Sequence, residues 1–327
     1  HQLSRGLGDV YKRQLPGRFG ARYELQHDVD LSYHVVEERL EDPGDKAAME
    51  RYVSRLLSEQ LDPSLPLWRF HVVQNCAGGT AVVARLHHCI ADGIALMQVV
   101  LSVTERTDGA APPGPHSAPE VKGLLTRVLL GLDSVVSLAR MTFRPRDPQT
   151  VLKGPLSMEK RVAWTPVLPL EDVRRTKDGL DATINDVLLT AVAGALRRYL
   201  LERADSIDRL DLRAAVPVNL RAQEDMGKLG NQFGLIFVAL PVGIDDPRKR
   251  LDVLRRRLHA LKRSTEPYVV LGILRLMGWL PRVLQRLIVR IFGSKITAVM
   301  SNVPGPRERL LMAGHEVESM LFWVPQS

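Results

Sequence analysis

At 327 residues, with 45% hydrophobic and 25% charged side chains, the chain has the length of two domains and enough apolar mass for a large core. Disordered, collagen-like and disulfide-scaffold classes are excluded. Two cysteines, Cys76 and Cys89, support neither a disulfide framework nor an all-cysteine zinc site, and a reducing compartment is the simpler expectation. A net charge of +8 suits phosphate-bearing partners without choosing among nucleic acid, anionic lipid and a phosphorylated ligand. No apolar run reaches the roughly 18 residues of a membrane-spanning helix, and no secretory core opens the chain.

Residues 1–14 carry no period that continues into the rest of the chain and read as a non-native leader, and the last residues approach what reads as another strand. The chain is therefore expected to be truncated at both ends. A first half spans 15–106, a linker and crossover helix 107–153, and an incomplete second half 154–327. The first half predicts a polar, partly extended stretch over 23–36, a helix over 45–60, strands over 68–73 and 80–88, and a helix over 94–105. Four prolines and two glycines over 107–119 make the linker.

Helical spacing returns over 121–140, followed by a short strand over 162–167. The best helix spans 183–201, with Ile184, Val187, Leu188, Ala191, Ala195, Leu196, Tyr199 and Leu200 on its apolar face. Strands are expected over 212–218, 235–242, 295–301 and 316–322. Strands alternating with helices make the class α/β with mixed sheets. The basic stretch 246–263 reads as a solvated helix face or as an attractor of phosphates. The apolar stretch 268–292, interrupted by Arg275, Arg282, Arg286 and Arg290, reads as an amphipathic element split at Pro281. It either packs on the second half or rests on a membrane or lipid-droplet surface.

Chemistry concentrates at His87-His88-Cys89-Ile90-Ala91-Asp92-Gly93, where a strand ends and a helix begins. Alternation along the strand points the two histidines apart, which argues against a shared metal ion. His88, closing an apolar face, is the candidate general base, because a neutral imidazole accepts a proton near neutral pH. Asp92 precedes a helix and Gly93 permits a tight turn, so the pair can hold the loop beneath His88. A nucleic-acid role would rest on charge alone, with no reading motif beside it.

His87-His88-x-x-x-Asp92-Gly93 resembles the H-H-x-x-x-D-G motif of CoA-dependent acyltransferases with the chloramphenicol acetyltransferase-like fold, a motif shared with nonribosomal-peptide condensation domains. Pro66-Leu67-Trp68, Asn185-Asp186 and Ser301-Asn302-Val303-Pro304-Gly305-Pro306 resemble the P-L-W, N-D and S-N-V-P-G-P motifs of the bacterial wax ester synthase/diacylglycerol acyltransferase family. The 29–34 stretch agrees with that family as well.

The resemblance implies a two-domain α/β acyltransferase fold and transfer of a fatty acyl group from acyl-CoA to a long-chain alcohol or diacylglycerol. No cofactor is bound permanently and no metal is used; acyl-CoA is a substrate. The protein would be cytoplasmic, either free or peripheral to the inner face of the plasma membrane or to lipid inclusions. Asn302 and Ser301, with Asn185 and Asp186, are the candidates for oxyanion and substrate support. Each motif also has a plain structural reading. Pro66, Leu67 and Trp68 can simply start a strand and fill the core. Thr183 through Asp186 has the spacing of a capping box. Pro304 and Gly305 make a rigid strand exit. Two other functions stay open: a condensation-type enzyme with carrier-bound substrates, and a catalytically silent lipid-binding module.

Overall fold

The computed structural model describes residues 12–16, 21–25, 29–87, 90, 97, 101, 104–106, 136–155, 157–220, 233–262, 264–303, 305–306 and 309–324. Most of the helix expected over 94–105, the linker and the start of the 121–140 helix lie outside the described residues; 136–143 is helical. A hairpin of β1 (Lys12–Pro16) and β2 (Ala21–Leu25) opens the chain. It begins inside the segment read as a leader.

The first sheet has the order β3-β4-β5, with β3 (Val35–Arg39) parallel to β4 (Trp68–Cys76) and β5 (Gly79–Leu86) antiparallel to it. A single helical turn, α1 (Leu31–His34), precedes β3. Helix α2 (Lys46–Ser58) covers one face of this sheet. Asp45 starts it by accepting the Ala48 N–H at 2.8 Å, which satisfies one of the orphan donors of the first turn. Met49, Tyr52, Val53 and Leu56 recur at helical spacing and close on Val73.

A polar group sits within that core. His71 Nδ1 lies 3.0 Å from the Tyr52 hydroxyl and 3.2 Å from the Glu38 carboxylate, and its Nε2 is buried with no hydrogen-bond partner. Burial pushes the imidazole below its ordinary value of 6.5, against the pull of Glu38.

The second sheet has the order β8-β7-β9. β7 (Leu212–Asn219) is antiparallel to β8 (Phe233–Leu240) and parallel to the short β9 (Ala298–Val299). Helices α3 (Leu170–Gly179), α4 (Ile184–Glu202), α5 (Pro247–Lys262), α6 (Glu266–Met277) and α7 (Arg282–Gly293) surround it. Alternation divides its side chains. Leu212, Ala214, Val238 and Leu240 meet α4 and α5 on one face, while Ala215 and Phe237 meet Val270 of α6 on the other. A third small sheet pairs β6 (Glu105–Arg106), β10 (Leu310–Met312) and β11 (His315–Glu316), tying the second half to the first.

Several expectations are corrected. The strand expected over 162–167 is irregular backbone held against α2, where Val162 and Trp164 donate their N–H groups to Ser54 and Glu50. Only Ala298–Val299 of 295–301 and His315–Glu316 near 316–322 pair as strands, because the partner ladders end there.

Helix α4 forms where expected but turns a different face inward. Asp186, Thr190, Ala193 and Leu200 are buried, while Ala191, Ala195 and Tyr199 are exposed. Small side chains let neighbours come close: a Cβ on Gly194 would stand 2.4 Å from the guanidinium of Arg250. The basic helix α5 is accordingly not a uniformly solvated face. Arg250 is buried and donates to the Ile244 and Asp245 carbonyls, and Arg257 forms a two-pronged pair with Asp211.

A Cβ at Gly234 would lie 2.3 Å from the Pro267 carbonyl oxygen, so Gly234→Ala must push α6 off the sheet. A loss of about 1–3 kcal/mol is expected in urea unfolding; an unchanged midpoint would show that the contact yields. The unfolded chain protonates its imidazoles near 6.5, whereas folded His71 takes a proton only at lower pH. Its contribution is complete above 6.5 and is lost as the pH falls below, by at most about 1.4 kcal/mol per pH unit. Urea titrations on both sides of that pH should show the slope, and His71→Phe should flatten it.

Candidate active site

The β4–β5 ladder carries the first motif to the edge of its sheet. It pairs Trp68 with Leu86 and ends in one bond from the His87 N–H to the Leu67 carbonyl, at 3.0 Å. Both strands then turn. The Trp68 N–H donates to the Pro66 carbonyl at 2.8 Å, curling the chain at Leu67, and the Ile90 N–H donates to the His87 carbonyl at 3.0 Å. Tight turns of this kind end strands. The side chain of His87 is exposed. His88, Cys89, Asp92 and Gly93, the rest of the motif, lie outside the described residues, as does Pro304.

Pro66, Leu67 and Trp68 are buried, in keeping with their structural reading. His34 stacks on Trp68 with ring centroids 4.1 Å apart and donates from Nδ1 to the Trp68 carbonyl at 2.7 Å. Asp30 closes the turn that delivers His34 by accepting the N–H and hydroxyl of Ser32. The Tyr33 carbonyl accepts from Arg69 Nε at 2.9 Å, and that guanidinium covers the Tyr33 ring. The 29–34 stretch is thus a clamp on the start of β4.

Sequence reasoning included His34 only within the 29–34 stretch and gave Arg69 and Arg85 no role. Arg85 stands opposite Arg69 across the ladder and donates to the Glu59 carbonyl at 2.6 Å, with the Glu59 carboxylate 3.9 Å away. Burial pulls its guanidinium below the ordinary value and Glu59 opposes that pull. An arginine inside an otherwise apolar strand, just before the paired histidines, was the available signal.

In the second half one hydrogen bond joins two of the motifs. The Asn302 side-chain amide donates to the Asn185 side-chain oxygen at 2.6 Å across 117 positions of sequence. Asn185 is presented by a complete capping box: the Asp186 N–H donates to the Thr183 hydroxyl at 3.2 Å, and the Thr183 N–H donates to the Asp186 carboxylate at 2.8 Å. Capping turns Asp186 inward, and neighbouring helical residues diverge by about 100°. Asn185 is therefore exposed while Asp186 is buried. The structure thus gives Asp186 an architectural role. Asn302 leaves the end of β9, anchored by the Met300 N–H on the Ala215 carbonyl at 2.9 Å. Ser301, Asn302 and Gly305 are exposed beside it. An amide with one N–H held by Asn185 keeps its second N–H for a ligand.

Both halves of the chain are similar to known proteins. A model of the wax ester synthase/diacylglycerol acyltransferase catalytic domain matches residues 12–127, and one of the WS/DGAT C-terminal domain matches 229–327. A Mycobacterium tuberculosis protein named "probable diacylglycerol O-acyltransferase" is 30% identical over 315 residues, covering 86% of this chain and 68% of the relative. The solved wax ester synthase/diacylglycerol acyltransferase of Marinobacter aquaeolei VT8 superposes with a TM-score of 0.65 at 22% identity, covering 95% of this chain and 72% of that one. The first condensation domain of the calcium-dependent antibiotic synthetase superposes with a TM-score of 0.57 at 16% identity, over 96% and 72% of the two chains. These structures establish the chloramphenicol acetyltransferase-like α/β fold.

Thr183→Ala breaks the capping box and is expected to cost about 1 kcal/mol in urea unfolding. Asn302→Ala removes an exposed bond and should stay within about 0.5 kcal/mol of the parent. An equally large loss for Asn302→Ala would make that bond a structural tie instead of an orienting one.

Proposed function

We propose that this chain, which belongs to the wax ester synthase/diacylglycerol acyltransferase family, moves a fatty acyl group from acyl-CoA to the hydroxyl of a long-chain alcohol or a diacylglycerol. That it is an O-acyltransferase follows from the family; the donor, the acceptor and the residue roles are the proposed part. The hydrogen bond between Asn302 and Asn185 carries the reading, because it draws two family motifs, distant in sequence, to one polar strand end.

A thioester is already activated, but an alcohol is a poor nucleophile at neutral pH, so the reaction needs one base on the hydroxyl. His88 takes that proton as the oxygen attacks the carbonyl carbon. The C–S bond then breaks, and the departing CoA sulfur receives the proton from His88. Acid–base assistance of this kind contributes about 10²- to 10⁴-fold. No covalent enzyme intermediate and no permanently bound cofactor are required. Asn302, oriented by Asn185, offers an N–H to the oxyanion of the tetrahedral intermediate. Asp92 and Gly93 shape the loop, and His87 is the terminal contact of the ladder. The lipid acceptors favour a cytoplasmic protein working at a membrane or lipid-inclusion surface.

Palmitoyl-CoA supplied to the complete protein with hexadecanol or a diacylglycerol should release free thiol in proportion to acceptor. His88→Ala should lower that release about 10²- to 10⁴-fold. Undiminished release from the variant would remove His88 from the mechanism. Release that required a carrier-bound acyl group would point to condensation chemistry instead.

A further inference from the structure

β9 delivers Ser301 and Asn302 to their places, yet it pairs with β7 through only two residues, Ala298 beside Ala214 and Val299 beside Ala215. So short a ladder specifies its register weakly. A slip of one residue would turn every later side chain to the other face, and the Asn302 amide would leave Asn185. Something besides the ladder has to hold β9.

Three residues converge at its entrance. The Asp147 carboxylate, its side chain fully buried, accepts the Arg213 N–H at 3.0 Å and the hydroxyl of Thr297. The Thr297 N–H in turn donates to the Arg213 carbonyl at 2.8 Å. One carboxylate from the crossover segment thus joins the start of β7 to the residue just before β9.

The crossover is itself fastened there. The Asp147 N–H and the Lys153 ammonium both donate to the Ser294 carbonyl, at 3.1 and 3.0 Å. The Arg213 guanidinium donates to the Pro145 and Lys295 carbonyls at 2.8 and 3.3 Å. A buried carboxylate is costly unless its hydrogen bonds are made. Ile296 and Ala298, the residues that a slip would bring to the place of Thr297, have no donor in their side chains. The penalty therefore falls on the slipped registers alone.

We propose that Asp147 is a positioning residue for the acyl transfer: through Thr297 it pins the register of β9, and so sets where the Asn302 amide stands against Asn185. The consequence for rate rests on the oxyanion role proposed for Asn302, whereas the pin rests on geometry alone.

The test uses the complete protein with Thr297→Val, which removes the hydroxyl at nearly constant shape, and Thr297→Ser, which keeps it. Thiol release from palmitoyl-CoA and hexadecanol gives kcat and KM, and hydrogen–deuterium exchange over 296–302 reads the pin without substrate. Thr297→Val is expected to exchange about tenfold faster over that segment, with α4 unchanged. Its kcat should fall about ten- to a hundredfold, the scale of a small misplacement of a catalytic group, while KM for palmitoyl-CoA stays put. Thr297→Ala should behave in the same way, and Thr297→Ser should match the parent in both readouts. In an Asn302→Ala background Thr297→Val should lower kcat no further, because the two residues act in series. Parent-like exchange in Thr297→Val and Thr297→Ala would overturn the pin. Faster exchange with the parent's kcat, or a fully additive loss in the double variant, would overturn the positioning role. Asn302→Ala with the parent's kcat would instead remove the oxyanion role, and the pin's effect on rate with it, while the exchange arm decides the pin itself.

Discussion

The end of the β4–β5 ladder determines where the paired-histidine motif leaves its sheet. An antiparallel pair continues as long as both strands stay extended, and here the partner strand starts with a turn at Leu67. The last bond is therefore the one from His87 to the Leu67 carbonyl, and the paired-histidine motif begins where the sheet can no longer hold the chain. The position of that end is set from behind: the His34 ring stacks on Trp68 and ties its carbonyl, and Arg69 ties α1 to β4. Pro66-Leu67-Trp68 thus fixes the residue at which β5 is released.

The second half solves a matching problem with a helix cap. The capping box commits Asp186 to its own helix terminus, and that commitment directs Asn185 outward to meet Asn302 as it leaves β9. One short motif, Asn185-Asp186, divides into an architectural residue and a residue that orients an amide. Burying a carboxylate is costly unless it is hydrogen-bonded. The box supplies that bond, so the outward direction of Asn185 follows from ordinary energetics.

Much of this was legible in the sequence. Helix α2, β4, β5, the Thr183 cap and the break at Pro281 all follow from periodicity, capping residues and proline chemistry. The features that were not legible depend on contacts between distant segments. Beside Leu200, the inward face of α4 carries Asp186, Thr190 and Ala193, small or polar residues that periodicity assigns to solvent, and the neighbouring Gly194 leaves the room that Arg250 fills. The contacts of His34 and Arg69 could not be read locally, because their partners lie 34 and 36 positions away. Segments of two or three paired residues, such as β9 and β11, are set by the partner edge and not by their own propensity.

The proposed chemistry requires the imidazole of His88 to face a lipid hydroxyl beside a thioester. A crystal structure of the complete protein with hexadecanol and a thioether analogue of palmitoyl-CoA would show whether it does. The alcohol oxygen is expected within hydrogen-bond reach of a His88 ring nitrogen, about 2.6–3.2 Å, with the Asn302 amide turned toward the position of the reacting carbonyl. A His88 ring enclosed by packed hydrocarbon, with both ligands bound elsewhere, would contradict that chemistry.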